Sequence, residues 1–248
     1  MNELETKEKS LEIIKKLISF SYSQLFDIAP LERDLTNLHL HCPQIAEPLI
    51  GMMFCAIMLG KKSDAITCAN KLQNFKIEVT DSLEMLYIDC LIGIGEFEKA
   101  RVLISARMDN VEQNLDLFYS VVVKYALYTG DLYILANLAK YPEVYDEDPL
   151  LFDFAQKYCD GINNKHYNAI LKIIYDTVGN IICSKEYLLH DDGNIQLCLY
   201  TTANIEDNLK FQDLIFNKID GYYTSMQEEV KREVFIRLDN VNLHPSWW

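Results

Sequence analysis

The densest group of side chains that could bind a metal is the run His39-Leu-His41-Cys42. Imidazole nitrogens and thiolates are the groups that Zn²⁺ binds in proteins, usually four of them in a tetrahedron. Side chains at positions 39 and 41 point in different directions on a helix, and no second cluster supplies the missing ligands. We therefore expect half-buried histidines at a helix end or loop, with neither a metal nor a cofactor.

A second candidate for chemistry is His190-Asp191-Asp192, which has the composition of a base oriented by carboxylates. The run lies where a turn is predicted, and turns favour Asp and Gly for backbone reasons. The paired acids Glu228-Glu229 are typical of a solvated face. The chain contains no nucleophile elbow, phosphate-binding loop, zinc-protease helix or dinucleotide fingerprint. We expect no catalytic residue.

Charge and composition limit the classes of partner. The 248-residue chain is 50% hydrophobic and carries a formal net charge of -14. Acidic residues are most in excess over 146–248, where 17 acidic groups face nine basic ones. Such a field repels phosphate backbones, so we expect no nucleic-acid partner. It favours a basic partner or serves only to keep the protein in solution.

The cysteines and the apolar runs indicate a compartment. Seven cysteines are scattered along the chain without a C-x-x-C pair, which is typical of buried free thiols under reducing conditions. The first residues are charged and lack an apolar signal core. No uncharged apolar run reaches the ~18 residues of a membrane span. The expectation is a cytoplasmic protein that does not enter a membrane.

The elements that would hold any site follow from three glycines. Gly60, Gly95 and Gly130 are spaced 35 residues apart, and each lies between two apolar helical runs. A fixed period of this size predicts a stack of helical hairpins. The predicted helix pairs are 46–59 with 63–73, 81–94 with 97–107, and 115–129 with 132–140. A capping hairpin is predicted at 7–42, and a degenerate closing pair at 149–183 with a turn over 160–164.

These repeats resemble the tetratricopeptide family over residues 46–143. The family's turn glycine matches the three glycines above, and its small residue in the second helix matches Ala65 and Ala100. The repeats depart from the family pattern in three ways. Leu135 stands where the third repeat should have the small residue of its second helix. Larger residues replace the small residue usual at the eighth position of each repeat, and the closing proline is absent. The resemblance implies a curved stack whose first helices, the A helices, line a concave surface that binds peptides.

The predicted pattern changes after residue 183. Two β-like runs within 187–200 flank Asp192-Gly193, which is a strong hairpin signal. A helix over 204–219 and a strand over 233–238 follow. The fold class is therefore mainly α, with a repeat domain at 1–183 and a small α+β domain at 184–248. The terminal Trp247-Trp248 pair either docks into a partner or neighbouring subunit or folds back on its own domain.

The resemblance places the partner-binding groove on the A helices, with an apolar floor and acidic rims. Its predicted lining is Ile50, Phe54, Ile57, Met58, Met85, Asp89, Ile92, Ser120, Lys124, Leu127 and Tyr128. An alternative is that the opening helix or the C-terminal domain fills this groove in cis.

Three functions remain open. The first is an adaptor or chaperone-like protein that holds a basic or amphipathic polypeptide in the groove. The second is an immunity or antitoxin-type inhibitor that blocks a basic toxin with an acidic face including Asp191, Asp192, Glu206 and Asp207. The third and weakest is an enzyme with its site in the C-terminal domain. The sequence makes no prediction of oligomeric state.

Overall fold

We describe a computed structural model of the chain. It describes residues 2–19, 27–73, 75, 81–108, 115–141, 148–159, 161–179, 182–189, 195–201, 203–225 and 234–240. The fold is mainly α-helical with a small sheet. The chain divides into two compact units, 1–125 and 126–248. The predicted domain boundary at 183 stays a prediction.

The elements follow one another in chain order. The helices of the described residues are α1 (Glu3–Ile18), α2 (Ile28–His41), α3 (Glu47–Met58), α4 (Lys62–Leu72), α5 (Asp81–Ile94), α6 (Phe97–Met108), α7 (Leu115–Thr129), α8 (Leu132–Leu138), α9 (Pro149–Tyr158), α10 (Gly161–Val178) and α11 (Ile205–Ser225). The strands are β1 (Ile182–Leu189), β2 (Ile195–Thr201) and β3 (Val234–Asn240). None of these helices is long and apolar enough to cross a membrane.

The three glycines end helices as predicted. Gly60, Gly95 and Gly130 have φ angles of 68°, 86° and 75°. This left-handed conformation costs an L-residue energy but costs glycine little, which is why it closes helices. The predicted helices on either side of these turns are present, with ends shifted by at most two residues.

Stacked helices build the first compact unit. The opening helices α1 and α2 pack against each other, and both pack on α3. The next hairpin repeats this arrangement, since α3 packs on α4 and both pack on α5, which in turn packs on α6. Ala65 and Ala100 are fully buried where a larger side chain would separate the paired helices. The expected helical stacking is therefore confirmed at this coarse level.

The second compact unit corrects the predicted closing pair. Helix α10 begins at Gly161, so the turn predicted over 160–164 is wrong from 161 onward. It ends at Val178, and Ile182 and Cys183 belong to β1. Glycine and asparagine are tolerated in a first helical turn, where the amides need no intrahelical partner. After Gly179, two consecutive β-branched isoleucines favour a strand over a longer helix.

The sheet contains the predicted hairpin and one strand added in parallel. Its order is β1-β2-β3, with β1–β2 antiparallel and β2–β3 parallel. A parallel pair needs a long crossover, which α11 supplies as it packs on β3 and α10. The central strand β2 is buried on both faces: Leu197 and Leu199 are buried, and so are Cys198 and Tyr200, which alternate with them. The hairpin turn, 190–194, lies outside the described residues.

Candidate functional site

The predicted groove lining divides by burial. The buried members are Ile50, Phe54, Met58, Met85, Ile92 and Leu127. The half-buried members are Ile57, Asp89, Lys124 and Tyr128, while Ser120 is exposed. Most apolar side chains predicted to meet a partner therefore lie in the protein interior, and their binding role stays a prediction.

Helix α3 is enclosed most completely. Phe54 is only 1% exposed. A methyl group placed on Gly51 would lie 2.9 Å from Leu35 Cδ1 of α2 and 3.1 Å from Ile14 Cγ1 of α1. The buried Glu47 carboxylate is 3.7 Å from Lys7 Nζ of α1. The opening hairpin thus covers the part of α3 around Gly51 and Glu47.

Helices α5 and α7 keep an accessible face, which we name the A-helix strip. It comprises Ser82, Leu86, Asp89, Gly93, Leu117, Ser120 and Lys124. On α5 the members follow helical spacing, with Ser82 and Gly93 exposed and Leu86 half-buried. On α7, Leu117 is 46% exposed and Ser120 is exposed.

An ion pair joins the two helices in the middle of this strip. The Lys124 Nζ atom lies 2.6 Å from Asp89 Oδ1, and these side chains are 30% and 17% exposed. The two residues are 35 positions apart, so they occupy the same place in successive repeats. Their charges largely cancel, which leaves a strip of small and apolar groups around a neutralised pair.

The cysteines near the A helices are poor nucleophiles. Burial, with a smaller contribution from Glu32, raises the pKa of Cys55 to about 12. Burial also raises the pKa of Cys90 well above its ordinary value, helped by Asp89 and opposed by Lys124. A thiol attacks only as the thiolate, so both groups are inert at neutral pH.

The histidine-cysteine run is divided between core and surface. His39 is half-buried, His41 is exposed, and Cys42 is buried and accepts a hydrogen bond from the Thr6 hydroxyl at 3.3 Å. Burial, with a contribution from Lys71, lowers the pKa of His39. Within the described ranges, no group of three His, Cys, Asp or Glu residues could hold a metal.

The acidic face proposed for toxin inhibition is only partly described. Asp191 and Asp192 lie outside the described residues, as do His190, Glu228-Glu229 and the segment 241–248. Glu206 and Asp207 are on α11, where both contact Lys210 Nζ, at 2.9 and 3.5 Å. The hydrogen bond that Lys210 Nζ donates to Glu206 Oε1 raises the pKa of Lys210. Part of this negative charge is therefore balanced in cis.

Sequence reasoning missed a polar contact within the second compact unit. His166 of α10 is 4% exposed, and its Nδ1 lies 3.0 Å from the Tyr222 hydroxyl of α11. The Tyr223 ring centroid is 6.3 Å from the imidazole. These residues are 56 positions apart, and no local pattern links them. The contact joins α10 to α11 and satisfies a buried imidazole nitrogen.

Comparisons with protein-family models, curated proteins and solved structures gave no significant match to this chain. The tetratricopeptide resemblance therefore depends on the three glycines Gly60, Gly95 and Gly130 and on the small residues Ala65 and Ala100.

Proposed function

We propose that this protein is a non-catalytic, tetratricopeptide-like protein that binds a polypeptide partner, as an adaptor or chaperone-like factor. The observation that carries the proposal is the A-helix strip. There, corresponding positions of two successive repeats stay accessible and are joined by the Asp89–Lys124 ion pair. Repeat stacks present such neighbouring faces as one extended binding surface.

The composition of the strip indicates how a partner would be held. Ser82, Gly93 and Ser120 have short or absent side chains, so another backbone could approach α5 and α7 closely. Leu117 supplies an exposed apolar contact. Leu86 adds a second, half-buried one. An extended or helical segment with a few apolar side chains suits this surface.

Charge suggests the character of that partner. Because Asp89 and Lys124 compensate each other, the local strip is nearly neutral. The whole chain has a formal charge of -14, which would attract a basic segment over a longer range and speed its association. A basic, amphipathic polypeptide therefore remains the proposed partner.

The test compares one substitution at two exposed serines. Ser120→Arg places a long cation in the strip on α7, while Ser105→Arg makes the same change on the exposed surface of α6. Proteins that co-purify with the tagged chain from its native host are quantified by mass spectrometry, and the leading partner is then titrated against each purified variant. We expect Ser120→Arg to weaken binding about ten-fold or more, equivalent to about 1.4 kcal/mol.

A second matched pair of variants tests whether the loss of binding depends on replacing a serine. Leu117→Arg and Val102→Arg both replace an exposed apolar residue, on α7 and α6 respectively. Phe54→Glu, at a position predicted to line the groove, would not test binding, because a carboxylate at this buried position destabilises the fold whether or not a partner binds there. Equal binding by wild type, Ser120→Arg and Leu117→Arg would contradict the proposed site.

A further inference from the structure

Helix α11 presents an apolar stripe to solvent. Ile205 is 63% exposed, Leu209 60% and Phe216 39%. Their spacings of four and seven residues place the three side chains on one face of the helix. We name this set the α11 stripe. It lies beside the face that the helix buries, on which Asn208, Ile215 and Ile219 are located.

The described chain ends close to the start of this stripe. Asn240, the last residue of β3, is paired with Thr201 at the end of β2. The Thr201 hydroxyl donates a 2.6 Å hydrogen bond to Asn208 Oδ1, one turn into α11. The Leu238 amide donates to Gln212 Oε1 at 3.4 Å, so β3 approaches the first turns of α11 as it reaches Asn240.

Eight residues follow this point: Val241-Asn-Leu-His-Pro-Ser-Trp-Trp248. They lie outside the described residues. Extended, they span up to about 29 Å. The stripe measures about 17 Å from Ile205 to Phe216, at 1.5 Å per helical residue. The segment is therefore long enough to cover the stripe from a nearby starting point.

We propose that residues 241–248 dock on the α11 stripe of the same chain and bring Trp247 or Trp248 against Leu209 and Phe216. The segment has four large apolar side chains and no charged one, which suits an apolar surface better than water. Attachment at Asn240 gives the segment a high effective concentration at the stripe, so modest contact area is sufficient for docking. A separate partner would lack that advantage.

Intrinsic fluorescence tests this docking without a label, because the chain contains only two tryptophans and both are in the segment. Selective tryptophan excitation of the wild-type protein should give blue-shifted emission that acrylamide quenches weakly. Leu209→Lys should move the emission to longer wavelength and increase quenching, since losing one apolar contact shifts the docked-to-free ratio by about ten-fold.

The matched control is Leu214→Lys. Leu214 is 44% exposed on the same helix but lies roughly 140° around the axis from Leu209. This variant should keep the wild-type emission and quenching. Circular dichroism of both variants establishes that α11 is intact, so a red shift reports the segment itself.

Each other outcome overturns the proposal. Water-like emission from the wild-type protein means that the segment leaves the stripe open. Protected emission that Leu209→Lys does not alter means that it docks elsewhere. Protection that disappears on dilution means that the stripe belongs to a contact between two copies. Removing 241–248 gives an independent readout, since an uncovered stripe should bind an apolar dye more strongly than the full chain.

Discussion

Helix α3 is apolar on almost every face and helix α11 is amphipathic, and the fold surrounds them to different degrees. Of the twelve residues of α3, ten are buried, including polar Glu47. Helix α11 has 21 residues, and its buried positions are Asn208, Ile215 and Ile219. Helix α3 contacts α1, α2, α4 and α5, whereas α11 packs mainly on α10 and β3.

This difference shows what an apolar side chain indicates in each place. On α3 an apolar residue such as Phe54 contributes to the core, even where the repeat phase assigns it to a binding surface. On α11 an apolar residue such as Leu209 remains in water unless something covers it. Exposed apolar groups in a row are the informative case, because soluble proteins rarely leave such patches without a partner.

The strongest test of the comparison truncates one phenylalanine on each helix. Phe54→Ala should lower the free energy of unfolding by about 3–5 kcal/mol, because the site is closed and a cavity remains. Phe216→Ala, at a 39% exposed site, should cost only about 1 kcal/mol. Urea denaturation followed by circular dichroism measures both. Similar losses for the two variants would remove the distinction between these helices.

The sequence predicted the positions of the helices and strands better than it predicted which of their side chains are buried. The 35-residue glycine period located the three hairpin turns, since each helix ends at a residue in the left-handed conformation, which glycine adopts at little cost. It also set the helical phase that joins Asp89 to Lys124 across successive repeats. Local patterns of this kind follow from backbone chemistry, which is why they can be read from a single chain.

What the sequence could not supply was the identity of the neighbours. The burial of Ile50 and Phe54 depends on helices from elsewhere in the chain, and the nearly all-apolar sequence of α3 indicates burial without identifying those helices. The pairing of β3 beside β2, 39 residues away in register, is equally non-local. Helix α10 was misread for another reason, because glycine and asparagine at 161–164 mimic a turn but occupy its first helical turn.

A pH titration sharpens the picture of α3 as an enclosed helix. Burial raises the pKa of its Cys55 to about 12, from an ordinary value of 9.0. The folded protein therefore holds this proton more tightly than the unfolded chain. The resulting stability is complete below about pH 9 and is lost as the pH rises towards 12. At about pH 10.5 the loss from this thiol should be about 2 kcal/mol.

Comparison of alkaline slopes isolates that contribution. The Cys55→Ala variant should lose about 2 kcal/mol less than wild type between neutral pH and about pH 10.5, whatever its stability at neutral pH. Equal slopes for the wild-type protein and Cys55→Ala would mean that water reaches Cys55, and α3 would not be closed on that side.

The smallest predicted effect is also the most specific, since it changes sign between the helices. Each of the two helices has an interior glycine. A methyl group added at Gly221 of α11 meets nothing within 4 Å, whereas a methyl group added at Gly51 of α3 meets Leu35 Cδ1 at 2.9 Å. Alanine favours a helix over glycine by about 0.5–1 kcal/mol, so Gly221→Ala should stabilise the protein by that amount.

At Gly51 the same gain is opposed by overpacking, which typically costs about 1–3 kcal/mol. Leu35 and Ile14 are both buried, so neither can move aside into solvent. We expect Gly51→Ala to destabilise the protein by about 1 kcal/mol, with the two variants shifting the thermal midpoint in opposite directions. If Gly51→Ala stabilised the protein as much as Gly221→Ala, the opening hairpin would not press on α3, and α3 would be free to face a partner as the repeat phase first suggested.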